Sequence, residues 1–208
     1  MKQIYPQMIK IGPNRYSREI FFNEYKKKFG VIKHQKTVDT INAVLTQAEK
    51  DNIQLEQLAY MFATSSHEAK DRDSQFDFYP LVERGGYKYI TDQYWYNTKV
   101  RGWLGNRTIE EAWNLRGRGL VQITGYTNYN IFGLLSNPDK ALEINKAVYI
   151  MFKGMTKGLF TNKPLSRYIN TTHVNYKFAR QVINGMDDAQ HIADIALIFE
   201  NVLKTSKV

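Results

Sequence analysis

The segment LEQLAYMFATSSHEAK (55–70) joins an apolar helical pattern to a charged end. Its apolar side chains recur at the spacing of one helical face. They are Leu55, Leu58, Ala59 and Phe62. The pattern predicts a buried helix whose tail becomes small and polar where His67 and Glu68 appear. Because a core helix does not need a His-Glu pair, these two residues are the first candidates for a functional site.

Helical patterns flank this segment, with an irregular stretch between them. Helices are predicted over 17–29 with Ser17 as cap and Gly30 as stop, from a cap at Thr37 or Asp39, over 137–155, over 173–184, and after a cap at Asp187 or Asp188. Residues 70–116 contain all three Trp and lack a clear period. Such a stretch is typical of a loop-rich functional region.

The composition is that of one globular domain without thiol chemistry. Of 208 residues, 43 % are hydrophobic and 24 % charged, which is ordinary for a soluble protein. The absence of cysteine excludes disulfides, a thiol nucleophile and a cysteine zinc site. No segment reaches the ~18 apolar residues of a membrane span, and the first residues lack the apolar run of a signal peptide.

Positive charge is concentrated near the N-terminus. The net charge is +9, and residues 1–36 hold nine Lys and Arg against two Glu. A basic end attracts polyanions such as nucleic acid, anionic lipid or an acidic cell wall. The alternative is a solvated lysine-rich face with no partner.

Three chemistries could use the His67-Glu68 pair or its neighbours. A zincin needs HExxH, but the fifth position here is Asp71, so a metal site is not favoured. A serine hydrolase is poorly supported because no G-x-S-x-G is present. Glycoside hydrolysis needs two carboxylates, and Glu83 in PLVERGG (80–86) is a suitable second one. The alternative for Glu83 is a surface ion pair with Arg84.

A third stretch, RGRGLVQITGYTNYN (116–130), has the residue types of a cleft wall. Two glycines allow close backbone approach, and two arginines can bind carboxylates. Hydrogen-bonding side chains then alternate with apolar ones. They are Gln122, Thr124, Asn128 and Tyr129. A nucleic-acid binder is the rival interpretation, since Arg, Gly and Tyr also occur in such proteins.

Taken together, SSHEAK, PLVERGG and RGRGLVQITGYTNY resemble glycoside hydrolase family 19, which includes chitinases and chitinase-like bacteriophage endolysins. The phage endolysins are the more similar group. The resemblance extends to FFNEYKKKFG (21–30), HQKTVDTINAVLTQAEKD (34–51), GMTKGLFTNKPLSRYI (154–169) and FARQVINGMDDAQHIADIALIFENVL (178–203). It spans roughly residue 17 to the C-terminus and implies one catalytic domain at 17–208. Residues 1–16, which it does not cover, are predicted to be an irregular basic lead-in because Pro6, Gly12 and Pro13 interrupt them. The implied fold is mostly α, a lysozyme-like two-lobed α+β domain with minor β and a cleft between the lobes.

The resemblance also assigns roles to residues. Glu68 aligns with the general acid, Glu83 with the general base, and Thr124 with the hydroxyl that helps hold the attacking water. Gln122, Asn128 and Asn184 align with substrate contacts; Tyr129 and Trp95 are further candidate substrate-binding residues; Arg116, Arg118 and His67 are assigned supporting roles. The family inverts the anomeric centre, so the two carboxylates are expected about 6.5–9.5 Å apart. No metal or cofactor is expected.

The function expected on these grounds is hydrolysis of the β-1,4 bonds of peptidoglycan by a monomer without a specific nucleic-acid partner. It would be made in the host cytoplasm and reach the wall after another factor releases it. Three alternatives stay open: a chitinase, a non-catalytic wall-binding or virion protein, and a zinc peptidase. The chitinase is disfavoured by Thr127, which stands where chitinases usually carry Tyr.

The basic segment generates a first prediction. Replacing Lys26, Lys27 and Lys28 by Gln should weaken lysis of bacterial cells, and more so at low salt, because salt screens long-range attraction to an anionic envelope. A turbidity assay across ionic strengths checks this. Lysis that is unchanged at every salt concentration would contradict it.

Overall fold

The computed structural model describes residues 14–74 and 77–208, and it is mostly helical with one small sheet. The α-helices in those ranges are α1 (Arg18–Phe29), α2 (Gln35–Asp51), α3 (Leu55–Glu68), α4 (Tyr87–Thr91), α5 (Thr98–Leu104), α6 (Ile109–Asn114), α7 (Gly125–Ile131), α8 (Ile144–Lys157), α9 (Tyr176–Ala179) and α10 (Ala189–Ser206). A π-helix spans Asp92–Tyr96, and 3-10 helices span Pro138–Leu142, Leu165–Arg167 and Arg180–Val182. Strands β1 (Leu81–Val82) and β2 (Arg118–Gly119) pair antiparallel. The prediction of a mostly α protein with minor β is confirmed.

The first two helices differ in how well their starts were predicted. Ser17 caps α1 by accepting from the backbone of Ile20, and Gly30 ends it, as predicted. By contrast, α2 begins at Gln35, ahead of both predicted caps, and Thr37 is fully buried. The prediction of a cap at Thr37 or Asp39 was therefore wrong. A distant side chain organises this start, because the Asp77 carboxylate accepts from the backbone N–H groups of Lys33 and His34.

Helix α3 is the centre of the core. Every residue from Leu55 to Ser65 except Glu56 and Gln57 is buried, and the helix packs along α10, which in turn packs against α1. The rings of Phe62 and Phe199 stack at 5.1 Å between centroids. Tyr25, Phe29 and Phe78 surround Phe199. These aromatic contacts fix three helices that are distant in the sequence.

Two predicted helices in the second half are interrupted. Over 137–155 the chain forms the 3-10 helix Pro138–Leu142, turns at extended Glu143, and then forms α8. Over 173–184 the helix is only α9, followed by the 3-10 helix Arg180–Val182. Asp188 does occupy the N-cap position of α10, but its side chain makes no capping bond.

The stretch predicted to be loop-rich is instead built of short helices. α4, the π-helix, α5 and α6 cover most of 87–114. None exceeds seven residues, which is too short to show a helical period in sequence. We call residues 87–114 the aromatic segment. α7 begins at Gly125, which packs closely against this segment. A Cβ at Gly125 (φ 82°) would lie 2.5 Å from the Cβ of Leu104, so only glycine allows this contact.

Both ends of the described chain pack on the domain. Tyr16 is buried and its strand bridge pairs it with Lys207 near the C-terminus. The backbone and side chain of Asn14 bind Asn52 and Ile53. Residues 1–13 of the expected lead-in lie outside the described residues. Within the described ranges, no helix combines the length and apolar character needed to span a bilayer.

The aromatic core generates a second prediction. Phe199→Ala should lower the free energy of unfolding by about 3–5 kcal/mol, because it opens a cavity against four rings. Leu197→Ala is the matched control: Leu197 lies on the same helix but is 52 % exposed, so its loss should change stability by less than about 1 kcal/mol. Urea unfolding of both variants measures the difference. Equal effects would contradict the central position of Phe199.

Candidate active site

Glu68 lies in the last turn of α3 and makes an ion pair with an arginine from far along the chain. Its Oε1 accepts from Nη1 of Arg180 at 2.5 Å. The side chain of Glu68 is 17 % exposed and that of Arg180 only 5 %. Arg180 is also held by the backbone carbonyl of Asp187, which accepts from its Nε. Two charges this far out of water require such pairing.

Sequence reasoning did not single out Arg180. The only local signal is a charged residue among apolar ones in FARQVI (178–183). The pair joins residues 112 positions apart, so no local pattern could have predicted it. Arg180 also occupies the start of a 3-10 helix, where its backbone is fixed by the N–H of Asn184 bonding to its carbonyl.

Glu83 follows β1 directly and is held by an aromatic hydroxyl and a backbone amide. Tyr94 donates its hydroxyl to Oε1 at 2.6 Å, and the N–H of Gly117 donates to Oε2 at 2.9 Å. A Cβ on Gly117 would lie 3.0 Å from that Oε2, so glycine allows the approach. Glu83 therefore binds the first glycine of the RGRG block and makes no ion pair with Arg84 among the described side chains.

Tyr94 is the side chain that binds Glu83, and its own pKa responds to the charge around it. Burial is the main cause that raises the pKa of Tyr94, and its hydrogen bond to Glu83 raises it further. The negative charges of Glu83 and, to a smaller extent, Glu68 add to this effect. Tyr94 sits in the π-helix, an element often found at functional sites. Tyr94 was not among the site residues predicted from the sequence, which included the neighbouring Trp95 instead.

The two arginines of RGRG do not contact either acid. The side chain of Arg118 is buried and binds Asp139, the carbonyls of Asn114 and Arg116, and the hydroxyl of Tyr129. The supporting role predicted for Arg118 is therefore exercised without a hydrogen bond to Glu68 or Glu83. Arg118 instead fixes the turn that presents the Gly117 N–H to Glu83.

Arg116 and Tyr129 also differ from expectation. The guanidinium of Arg116 lies over the ring of Trp113, 4.1 Å from its centroid, and donates to the carbonyl of that residue. Tyr129 is fully buried, and its hydroxyl donates to the carbonyl of Arg116. Burial raises the pKa of Tyr129 to about 12. A fully buried ring cannot contact a substrate, so Tyr129 supports the turn from beneath.

The polar residues after RGRG form a chain of hydrogen bonds beside Glu83. Gln122, in a left-handed conformation (φ 48°), donates to the carbonyls of Leu81 and Gly119. Thr124 donates its hydroxyl to the carbonyl of Gln122, and Asn128 donates to the carbonyl of Thr124. The side chains of Gln122, Thr124 and Asn128 are all partly exposed. They therefore line a surface reachable by a ligand.

The remaining candidates lie around the two acids at greater distance. His67 is half-buried, with Nε2 3.6 Å from Oδ2 of Asp188. Asn184 is exposed after the Arg180 turn. Trp95 is half-buried, and Arg101 lies over its ring at 4.7 Å. None of these three makes a hydrogen bond to Glu68 or Glu83 within 14–74 and 77–208.

No model of a known protein family matches this chain, and no curated protein is detectably similar to it. The resemblance to glycoside hydrolase family 19 therefore stays a prediction from short motifs. Across the part of the chain that the structure describes, no group of three or more His, Asp or Glu is arranged to hold a metal ion.

The site generates a third prediction, which does not depend on function. Burial lowers the pKa of His67 below 6.5, while the charge of Glu68 partly opposes this. Glu68→Gln removes that opposing charge, so the titration midpoint of the His67 ring should fall further. NMR of the imidazole C–H signals measures it.

Glu56→Gln is the matched control for this titration. Glu56 lies twelve residues before Glu68 on α3, about 18 Å from it along the helix at 1.5 Å per residue. Replacing Glu56 should therefore leave the titration midpoint of His67 unchanged. A rise of the midpoint in Glu68→Gln would contradict the geometry described for the pair.

Proposed function

We propose that this protein is a glycoside hydrolase that cleaves the β-1,4 bonds of peptidoglycan with inversion. The observation that carries the proposal is a pair of half-buried carboxylates held by different partners, one of them an arginine and the other a tyrosine. Glu68 is bound by the Arg180 guanidinium, whereas Glu83 is bound by a hydroxyl and an N–H. Distinct environments for two carboxylates are what separate acid and base roles in such enzymes.

Glu83 is suited to the role of base. Tyr94 and Gly117 each occupy one lone pair, one per carboxylate oxygen, so both oxygens keep capacity to accept from a water. Thr124 can share that water. Its only hydroxyl proton is committed to Gln122, so its oxygen is left to accept. Together the two residues would hold and activate the nucleophile.

Glu68 takes the role of acid in this proposal from its place in the His67-Glu68 motif. Its ion pair with Arg180 is made by the ionised carboxylate, so Glu68 must take up a proton before it can donate one. Arg180 occupies Oε1, which leaves Oε2 as the oxygen to carry the proton. That proton passes to the glycosidic oxygen as the bond to the leaving sugar breaks, and Arg180 then stabilises the carboxylate that forms. The buried Arg180 fixes the carboxyl in one orientation for this transfer.

The proposal also assigns the elements to the two lobes of a lysozyme-like domain. One lobe is the core around α3 and α10, which carries Glu68. The other is the aromatic segment with β1 and β2, which carries Glu83 and Tyr94. The cleft would run between these acids, past Gln122, Asn128 and the exposed Asn184. As an endolysin, the protein would act as a monomer on glycan strands once another factor gives it access to the wall.

A fourth prediction tests the hydrolase. Glu68→Gln should reduce the release of reducing ends from purified sacculi by about 10²–10⁴-fold, the usual contribution of a general acid. Tyr94→Phe should reduce it less, because Glu83 keeps its bond to Gly117. The exposed Lys153→Gln, on α8, is the control and should retain wild-type release, while melting temperatures confirm that each variant is folded.

Colloidal chitin is assayed in parallel. New ends from sacculi that vanish in Glu68→Gln support the proposal. Ends from chitin alone would keep the chemistry and replace the substrate. Wild-type release by Glu68→Gln, or no ends from either polymer, would contradict the hydrolase and favour a wall-binding protein or a peptidase.

A further inference from the structure

A concave surface outside the candidate active site is lined by His67, the residue before Glu68. We call it the α10 groove. It has a volume of about 620 Å³ and lies among the C-terminal ends of α1 and α3 and the part of α10 that runs as far as Phe199. Its apolar floor includes Ile195 and Ile198. His67, the residue before Glu68, is in its wall, so the groove reaches the end of α3 that carries the candidate acid.

The rim of the α10 groove carries both signs of charge. Lys28 and Lys70 supply two exposed ammonium groups, and neither has an ion-pair partner among the described side chains. Asp188 and Asp194 supply two exposed carboxylates. Asp194 accepts from Gln190 and Asp188 lies near His67. A ligand that fits this rim needs anionic and cationic groups on an apolar body.

We propose that the α10 groove binds the stem peptide of a peptidoglycan strand. This inference rests on the proposed function, because it assigns a second part of the same substrate to a second surface. A stem peptide is a short chain attached to the muramic sugar that carries free carboxylates, alanine methyl groups and, at its diamino acid, an ammonium group. The two lysines match the carboxylates, the two aspartates match the ammonium group, and the floor matches the methyl groups.

A stem peptide is long enough to extend well beyond the sugar that carries it. Four extended residues span about 13–14 Å. A peptide leaving a sugar bound at Glu68 would therefore pass His67 and enter the groove along α10. A phosphate-rich wall polymer fits less well, because Asp188 and Asp194 would repel it.

Binding of stem peptides in the α10 groove would give the protein a preference among glycans that the two acids alone would not produce. Strands with stem peptides should be cleaved faster than the same strands without them, because the groove adds binding that chitin and bare glycan cannot use. The expected preference is about tenfold, the value of one charge-assisted hydrogen bond.

The fifth prediction tests this preference with soluble, uncross-linked strands. Half of the strands are stripped of peptides by an amidase, and reducing-end release is compared at about 0.15 M salt, where long-range attraction is screened. The ratio of rates on peptide-bearing and bare strands should be about ten for the wild-type protein. It should fall to about one in Lys28→Gln/Lys70→Gln.

Lys153→Gln/Lys157→Gln is the matched control, since it also removes two exposed lysines, both on α8 and neither lining the groove. It should keep the wild-type ratio. A wild-type ratio near one, or an unchanged ratio in Lys28→Gln/Lys70→Gln, would overturn the inference.

A binding measurement separates this inference from the hydrolase proposal. A tripeptide of L-alanine, γ-linked D-glutamate and diaminopimelate is titrated into Glu68→Gln, and the imidazole signals of His67 and His191 are followed by NMR. Shifts that are lost in the version that also carries the two lysine substitutions support the groove, even if the protein cleaves no glycan. No shift at millimolar peptide overturns the groove, even if sacculi are hydrolysed.

Discussion

The burial of α3 against α10 is the constraint on which the rest of the molecule depends. Phe62 and Phe199 stack at the centre of this contact, with rings from α1 around them. From Leu58 to Ser65 every residue of this helix is buried, so beyond its first turn it can place charge only where it leaves the core. Its last turn is that place, so His67 and Glu68 emerge at the core's edge. The chain compensates with Arg180, whose guanidinium is itself buried.

The second acid depends on a different kind of contact. Glu83 is held by backbone and hydroxyl groups, which a two-residue sheet brings together: Val82 pairs with Arg118, and Gly117 then meets the carboxylate. This contact requires a residue without a side chain at 117 and a firm turn around it. Arg118 and the buried Tyr129 supply that firmness by binding the carbonyls of the turn. The RGRG block is thus a support for one carboxylate.

The arginine beside Glu68 and the lysines of the α10 groove differ in burial and in pairing. Arg180 is paired inside the protein, whereas Lys28 and Lys70 are left on the rim of the α10 groove, where a ligand can meet them. The proposed function uses both arrangements. Buried pairing fixes a reactive group, and exposed charge recruits the part of the substrate that does not react. Both begin at the end of α3, which makes this helix end the common boundary of the two proposed sites.

The sequence by itself determined three of the long helices and the two candidate acids. α1, α3 and α10 were predicted because they have several turns of apolar period and clear end signals, and Glu68 and Glu83 were selected from local context. The short helices of the aromatic segment were missed because five to seven residues cannot show a period. Only the tertiary structure decided the partners of the acids. Arg180 is 112 residues from Glu68, and Tyr94 reaches Glu83 through a π-helix. The tertiary structure also decided that Tyr129 is buried. A polar pattern in the sequence shows that a side chain can form hydrogen bonds but not whether it faces solvent or the core.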